Sequence, residues 1–249
     1  MITTSIFSHK ANYYAKYRWH YVPEAIDYIV KVSDLKKDAA IADIGSGTGI
    51  LTELLLAKAK TVYAVEPNAE MRLKAEERLG EQFAFRSVDG KGESTTLPDQ
   101  CVELITAAHS LHWMEPADAK REFRRILKPE GWLATVNNVN LENDFLEAWE
   151  EAMNECSFDF SPKEMRLKAF NPDDYFIAYE VMEFPFRLLH TLDSWIGASL
   201  SIAFAPSDFD AAFGEYLEAV SDVFHLFSKN EHVEIHGVTE ARVGRLAFS

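Results

Sequence analysis

Along the chain, short apolar runs cut off by glycine, acid or turn residues alternate with stretches where apolar positions recur every three or four residues. Residues 39–44, AAIADI, form the first run and predict a buried strand of a parallel sheet; ILTELLLAKA after Gly49 predicts a helix. Residues 61–66, TVYAVE, predict a second strand. After Pro67 the Asn68 side chain can cap a helix running through Met71, Ala75 and Leu79 to Gly80. QFAFRSV (82–88) and CVELITAA (101–108) predict strands three and four. A helix around Ala119, Phe123, Ile126 and Leu127, stopped by Pro129, leads to a fifth strand, WLATVNNV (132–139).

Before this series, residues 11–32 predict a helical cover, with Pro23 placed to begin a helix and Ala25, Ile26, Ile29 and Val30 as its stripe. After Asn140 the rhythm changes. Leu141, Phe145, Trp149 and Met153 recur every four residues on an acidic stretch and describe an amphipathic helix, and Phe209, Phe213, Tyr216, Val220, Phe224 and Phe227 mark a long helix whose stripe is expected to be core, with the lining of a substrate cavity as the alternative. EFPFRLLHT (183–191) and HVEIHGVTEARV (232–243) predict strands six and seven. The alternation implies an α/β fold: a Rossmann-like, doubly wound, seven-stranded, mostly parallel sheet with helical cap elements. One domain is expected over 1–249, with an N-terminal cover at 1–37, a nucleotide-binding half at 38–139 and a C-terminal half with substrate-cap helices at 140–249.

The formal net charge of −15 is the wrong sign for gathering phosphodiester backbones or anionic lipid. Nucleic acid and membrane surfaces are therefore not expected partners; oligomeric state is open. The two cysteines, Cys101 and Cys156, form no zinc-type pair, and His190, His225, His232 and His236 are scattered, so no metal site is expected. The opening residues lack an apolar signal core and no later run suits a membrane span, which leads to the expectation of a cytoplasmic protein.

The chemistry concentrates in IADIGSGTGI. Asp43 stands near a strand end, and Gly45, Gly47 and Gly49 occupy the turn into a helix, where a ligand can approach peptide N–H groups. Glu66, ending the next strand, can accept two hydroxyl hydrogen bonds from a ribose. Dinucleotide enzymes favour GxGxxG; here the third glycine comes one residue early, which favours S-adenosylmethionine over NAD. Asp43 could meet that cofactor's ammonium directly or through water, or cap the glycine loop's own amides.

IADIGSGTG, VYAVEPNAEM, LPDQCVELITAAHSLHWM and LKPEGW resemble, in order and spacing, the nucleotide-binding half of the class I S-adenosylmethionine-dependent methyltransferase family over about residues 38–139. YYAKYRWHYVPEAI and VEIHGVTEARVGRL look like the flanks of a bacterial small-molecule branch that includes trans-aconitate-type enzymes. The resemblance implies a methyl transfer that leaves S-adenosylhomocysteine. It places Asp43, Gly45, Ser46, Gly47 and Gly49 at the methionine end, Glu66 at the ribose, and Pro67 and Asn68 beside the adenine. Lys91 stands where the family commonly has an acid for the adenine amine, which passes that contact to Asp89, Gly92 or Glu93.

His109, His112 and Trp113 follow the fourth strand, where the acceptor would lie, and His112 could serve as general base or as a hydrogen-bonded wall. Tyr14 and Arg18, with their aromatic neighbours, could form a lid over cofactor and substrate or a helix packed on the sheet. The expected activity is methylation of a small molecule by in-line displacement. An NAD-dependent oxidoreductase and a non-catalytic methyltransferase-like binding or regulatory protein are the alternatives.

Overall fold

A computed structural model describes residues 8–156, 170–203 and 205–247. The opening residues 1–7, on which the expectation about a signal core partly rests, lie outside these. Among the described residues no helix is long and apolar enough to cross a membrane.

The strands are β1 Ala40–Ile44, β2 Thr61–Val65, β3 Phe85–Val88, β4 Val102–Ala108, β5 Leu127–Asn140, β6 Phe176–His190 and β7 Val233–Leu246. The helices are α1 Ala11–Tyr17, α2 Pro23–Val32, α3 Ile50–Leu56, α4 Ala69–Leu79, α5 Pro116–Ile126, α6 Asp144–Glu155, α7 Leu192–Leu200 and α8 Phe213–Phe227. The seven strands form one sheet in the order β3-β2-β1-β4-β5-β7-β6, and the β3/β2, β2/β1, β1/β4 and β4/β5 pairs are parallel. This is the doubly wound order: crossovers run one way from β1 to β3 and the other way from β4 on, so the direction reverses between β1 and β4.

The chain divides into two compact units. The larger comprises residues 20–139, 170–185 and 239–249. Its core joins β1 and β4 to α5 through Ile44, Ile105, Phe123 and Ile126, all fully buried. The smaller comprises residues 1–19, 140–169 and 186–238. Its core packs Phe145, Trp149 and Met153 of α6 against Trp195 of α7 and Tyr216, Val220 and Phe224 of α8.

Several boundaries differ from expectation, among them the start of β5 at Leu127 rather than 132 and of β6 at Phe176 rather than 183. The third strand begins at Phe85, because Gln82 and Phe85 N–H groups close turns onto Leu79 and Gln82 and leave Phe83 exposed. Phe209 lies outside α8 and is 88% exposed. There the Asp210 carboxylate accepts from the Ser207 N–H and hydroxyl and forms a turn before the helix. Leu141 likewise precedes α6, its N–H pairing with the His236 carbonyl. Helix α7 has no counterpart in the periodicity reading. Gly197 within it looks like a breaker, yet a methyl group there would stand 2.3 Å from Tyr17 Cδ2, so close packing on α1 requires glycine.

Candidate functional site

Where the sheet order reverses, ligands bind outside the carboxyl ends of the strands. β1 ends there in the turn Gly45-Ser46-Gly47-Thr48-Gly49, whose three glycines have φ of 68°, 56° and 82°. At Gly45 nothing larger fits: a methyl group would stand 2.5 Å from Ser110 Cβ, and Ser110 is pinned by its hydroxyl donating to the Ile44 carbonyl at 2.6 Å. The Gly45 and Ser46 N–H groups both donate to the Val65 carbonyl, at 2.8 and 3.1 Å, which ties the turn to the end of β2. Ser46 Oγ and Thr48 Oγ1 are buried with no hydrogen-bond partner among the described residues.

Glu66, directly after β2, is buried and grips the turn. Its Oε2 accepts the Gly47 N–H at 2.9 Å and its Oε1 accepts the Asn68 N–H at 2.8 Å. Each carboxylate oxygen has about two lone-pair sites, so each retains capacity for another donor. Burial raises the Glu66 pKa, while the two N–H bonds and the Arg72 guanidinium oppose the rise. Arg72 donates to the Glu66 carbonyl at 2.8 Å and to Asp89 at 3.1 Å, linking the ends of β2 and β3. Asn68 caps α4 by accepting the Met71 N–H at 3.0 Å, and Pro67 beside it is half-buried.

Asp43 is 1% exposed, and its carboxylate meets hydroxyl groups of the neighbouring helix and strand. The Thr52 hydroxyl donates to one oxygen at 2.6 Å and the Thr106 hydroxyl to the other at 3.1 Å. The carboxylate thus bolts β1 to α3 and β4, and the loop amide it could have capped is held by Glu66. Desolvation pushes its pKa up to about 6, against these hydrogen bonds.

On the far side of β2, Asp89 and Lys91 are exposed and Gly92 is buried. Glu93 Oε1 accepts the Glu115 N–H at 3.1 Å, which fastens this loop to the start of α5. Met114 spans the two loops: a methyl group on Gly92 would stand 2.2 Å from its Sδ, and one on Gly45 3.8 Å from its Cε.

After β4, His109 adopts φ of 47°, unusual for a side-chain-bearing residue. Its N–H donates to Asn137 Oδ1 at 3.1 Å and its Nε2 accepts the Asn138 N–H at 2.8 Å. The imidazole is therefore neutral, with its proton on Nδ1 and its Nε2 lone pair engaged. His112 and Trp113 share the helical turn Leu111–Trp113, their rings 4.8 Å apart and half-buried. Tyr14 and Arg18 belong to the smaller unit, where the guanidinium lies 5.4 Å from the Tyr14 ring centre.

The structure thus brings together the glycine turn, Asp43, Glu66 and Asn68 around the ends of β1 and β2, and joins Gly92 to them through Met114. Thr52, Thr106, Arg72, Ser110 and Met114 escape sequence reasoning. The one available signal is the need of a buried carboxylate for donors, which threonines within the apolar runs can supply.

Residues 42–135, which contain this arrangement from Asp43 to Met114, match the family of methyltransferase domains. This stretch is similar to methyltransferase domains. It underlies 34% identity over 129 residues to an uncharacterized methyltransferase of Mycobacterium tuberculosis, covering 52% of this chain and 50% of that protein. An uncharacterized methyltransferase of Schizosaccharomyces pombe is 28% identical over 130 residues, covering 51% of this chain and 49% of its own length. The chain thus spans about half the length of the curated relatives it matches. The solved structure of a candidate type II methyltransferase from Anaeromyxobacter dehalogenans superposes with a TM-score of 0.62 at 17% identity, over 92% of this chain and 97% of that one. At that identity the likeness establishes the α/β fold alone.

Proposed function

We propose that the chain binds S-adenosylmethionine at this turn and transfers its methyl group in line to a small-molecule acceptor. The observation that carries the reading is Glu66: a buried carboxylate fixed by Gly47 and Asn68 N–H groups, with one acceptor site left on each oxygen, as vicinal ribose hydroxyls require. Ser46 and Thr48 supply further unsatisfied polar atoms in the turn. In a related fold, a methyltransferase from Thiobacillus denitrificans has been solved in complex with S-adenosylhomocysteine, with a TM-score of 0.50 and 17% identity.

The Gly45–Gly49 turn would hold the methionine end, Pro67 and Asn68 would border the adenine, and Asp89, Gly92 and the second oxygen of Glu93 would meet its far edge. Asp43 acts by keeping the turn in place. When bound, the cofactor supplies a methyl group already activated by the sulfonium, so the chain's work is to align the acceptor and exclude water. His112 would accept a proton from an alcohol acceptor; a carboxylate acceptor needs no such base. The engaged Nε2 of His109 supports a place for that residue in the pocket wall rather than in proton transfer. The net charge of −15 and the flank resemblance to trans-aconitate-type enzymes support a small metabolite over nucleic acid.

Calorimetry with S-adenosylhomocysteine and with NAD tests the reading directly. Binding of the former is expected, and Glu66→Gln, which turns one acceptor into a donor, weakens it by about 30-fold, the equivalent of about 2 kcal/mol. Binding of NAD alone overturns the proposal. Mass spectrometry for products heavier by one methylene unit across a metabolite panel separates an enzyme from a binding protein.

A further inference from the structure

Among the described residues, the smaller unit encloses polar atoms that have no hydrogen-bond partner. His190, at the end of β6, is 6% exposed, Trp149 of α6 is 7% and Trp195 of α7 is 3%. His190 Nε2 and the indole Nε1 atoms of both tryptophans are fully buried, with no hydrogen-bond partner among the described residues. The three rings adjoin one another: His190 lies 5.5 Å from Trp195, and Trp195 lies 5.6 Å from Trp149. Trp19 at 5.5 Å from His190 and Phe145 at 4.8 Å from Trp195 extend the aromatic wall.

The polarity of this set is fixed by its neighbours. The Ser194 hydroxyl donates to the Thr191 carbonyl at 3.1 Å, so its oxygen receives the His190 Nδ1 proton, also at 3.1 Å. His190 Nε2 is then a bare lone pair, whereas an indole nitrogen can only donate. Burial holds the imidazole neutral by lowering its pKa to about 4. Buried polar groups are normally paired, and three orphans on adjacent rings of one core call for an explanation.

We infer that the Trp149–Trp195–His190 cluster is a binding site for a small, neutral, apolar molecule bearing a hydroxyl group. A hydroxyl combines one donor, which His190 Nε2 lacks, with lone pairs, which the indole N–H groups lack. The ligand is neutral because the ring nitrogens it meets, His190 Nε2 and the two indole Nε1 atoms, carry no charge, and a carboxylate enclosed among them would have no counter-charge beside it. Its body is apolar because the surrounding wall is aromatic. The site goes beyond the cofactor turn and does not depend on it, since binding here requires no S-adenosylmethionine.

Phenol and toluene, which exchange a hydroxyl for a methyl group on the same ring, test the inference on the full chain labelled with ¹⁵N-histidine. Phenol is expected to move the His190 Nε2 resonance saturably and to bind at least tenfold more tightly than toluene, which leaves that resonance in place. His190→Phe, which keeps a ring but removes the acceptor, should bring the two affinities to within about twofold. Trp195→Phe should weaken phenol several-fold and leave toluene unchanged. Equal affinities in the unsubstituted protein, or a His190 resonance already in its hydrogen-bonded position and unmoved by phenol, would mean an internal water only and overturn the proposal. If a variant fails to fold, the labelled unsubstituted chain still decides.

Discussion

Replacing Asp43 with Asn probes the most deeply buried acid beside the turn. Its carboxylate is almost fully enclosed, with Thr52 and Thr106 hydroxyls on its two oxygens, and desolvation raises its pKa from 3.8 to about 6. An acid whose folded pKa is raised binds its proton more tightly in the folded state. Its stabilising contribution is whole below about pH 3.8 and is lost as pH rises through 6. A shift of about two units is worth about 3 kcal/mol in all, and about 2 kcal/mol of that falls between about pH 4.5 and 7.5. Asparagine keeps the shape, accepts from one threonine and can donate to the other, but does not titrate. The stability of the unsubstituted chain relative to Asp43→Asn should therefore fall by about 2 kcal/mol across that window. Urea denaturation of both proteins at matched pH values measures this difference. Denatured-state and distant titrations largely cancel because they are common to the pair. A difference that stays flat with pH would refute the assignment of a buried, desolvated carboxylate at this position.

The other predictions rest on separate contacts. Gly45→Ala forces a methyl group against Ser110 at a left-handed φ, so it should cost about 2–4 kcal/mol in chemical denaturation and abolish S-adenosylhomocysteine binding by calorimetry; an unchanged unfolding midpoint contradicts the geometry. Glu122, which accepts from the Thr95 N–H and hydroxyl and from Arg125, has its pKa lowered to about 2 by these donors against desolvation. Its contribution is present above about pH 4.5 and is lost as pH falls through 2, so Glu122→Gln should cost about 1.5–3 kcal/mol at pH 7 and progressively less in acid. His112→Ala with retained cofactor binding should abolish turnover of an alcohol acceptor but spare a carboxylate acceptor in a mass-spectrometric assay. Equal rates on an alcohol would remove His112 from proton transfer.

Much of the larger unit was legible because its signals are local. A strand buried on both faces must be an apolar run, a turn across a strand end must carry glycine, and Asn68 caps α4 whatever surrounds it. The partners of Asp43 were not legible, since Thr52 and Thr106 lie 9 and 63 residues away and only the β1/β4 pairing brings the second within reach. The start of β6 was hidden for a related reason. Residues 177–183 are exposed and carry no alternation of buried and solvent positions, so their strand character comes from pairing. The scattered histidines suggested structural or surface roles, and for His190 the aromatic company that distinguishes it comes from three separate segments.

The sequence by itself determined the order of the seven strands, the glycine turn at the end of β1 and the acid at the end of β2, because each depends on backbone conformation and burial within a few residues. Only the tertiary structure decided which oxygen each donor reaches, that Gly197 is a packing requirement inside a helix, and that three ring nitrogens are enclosed without partners among the described residues. Those outcomes depend on atoms from distant segments meeting within a few ångströms, and no spacing along the chain encodes such a meeting.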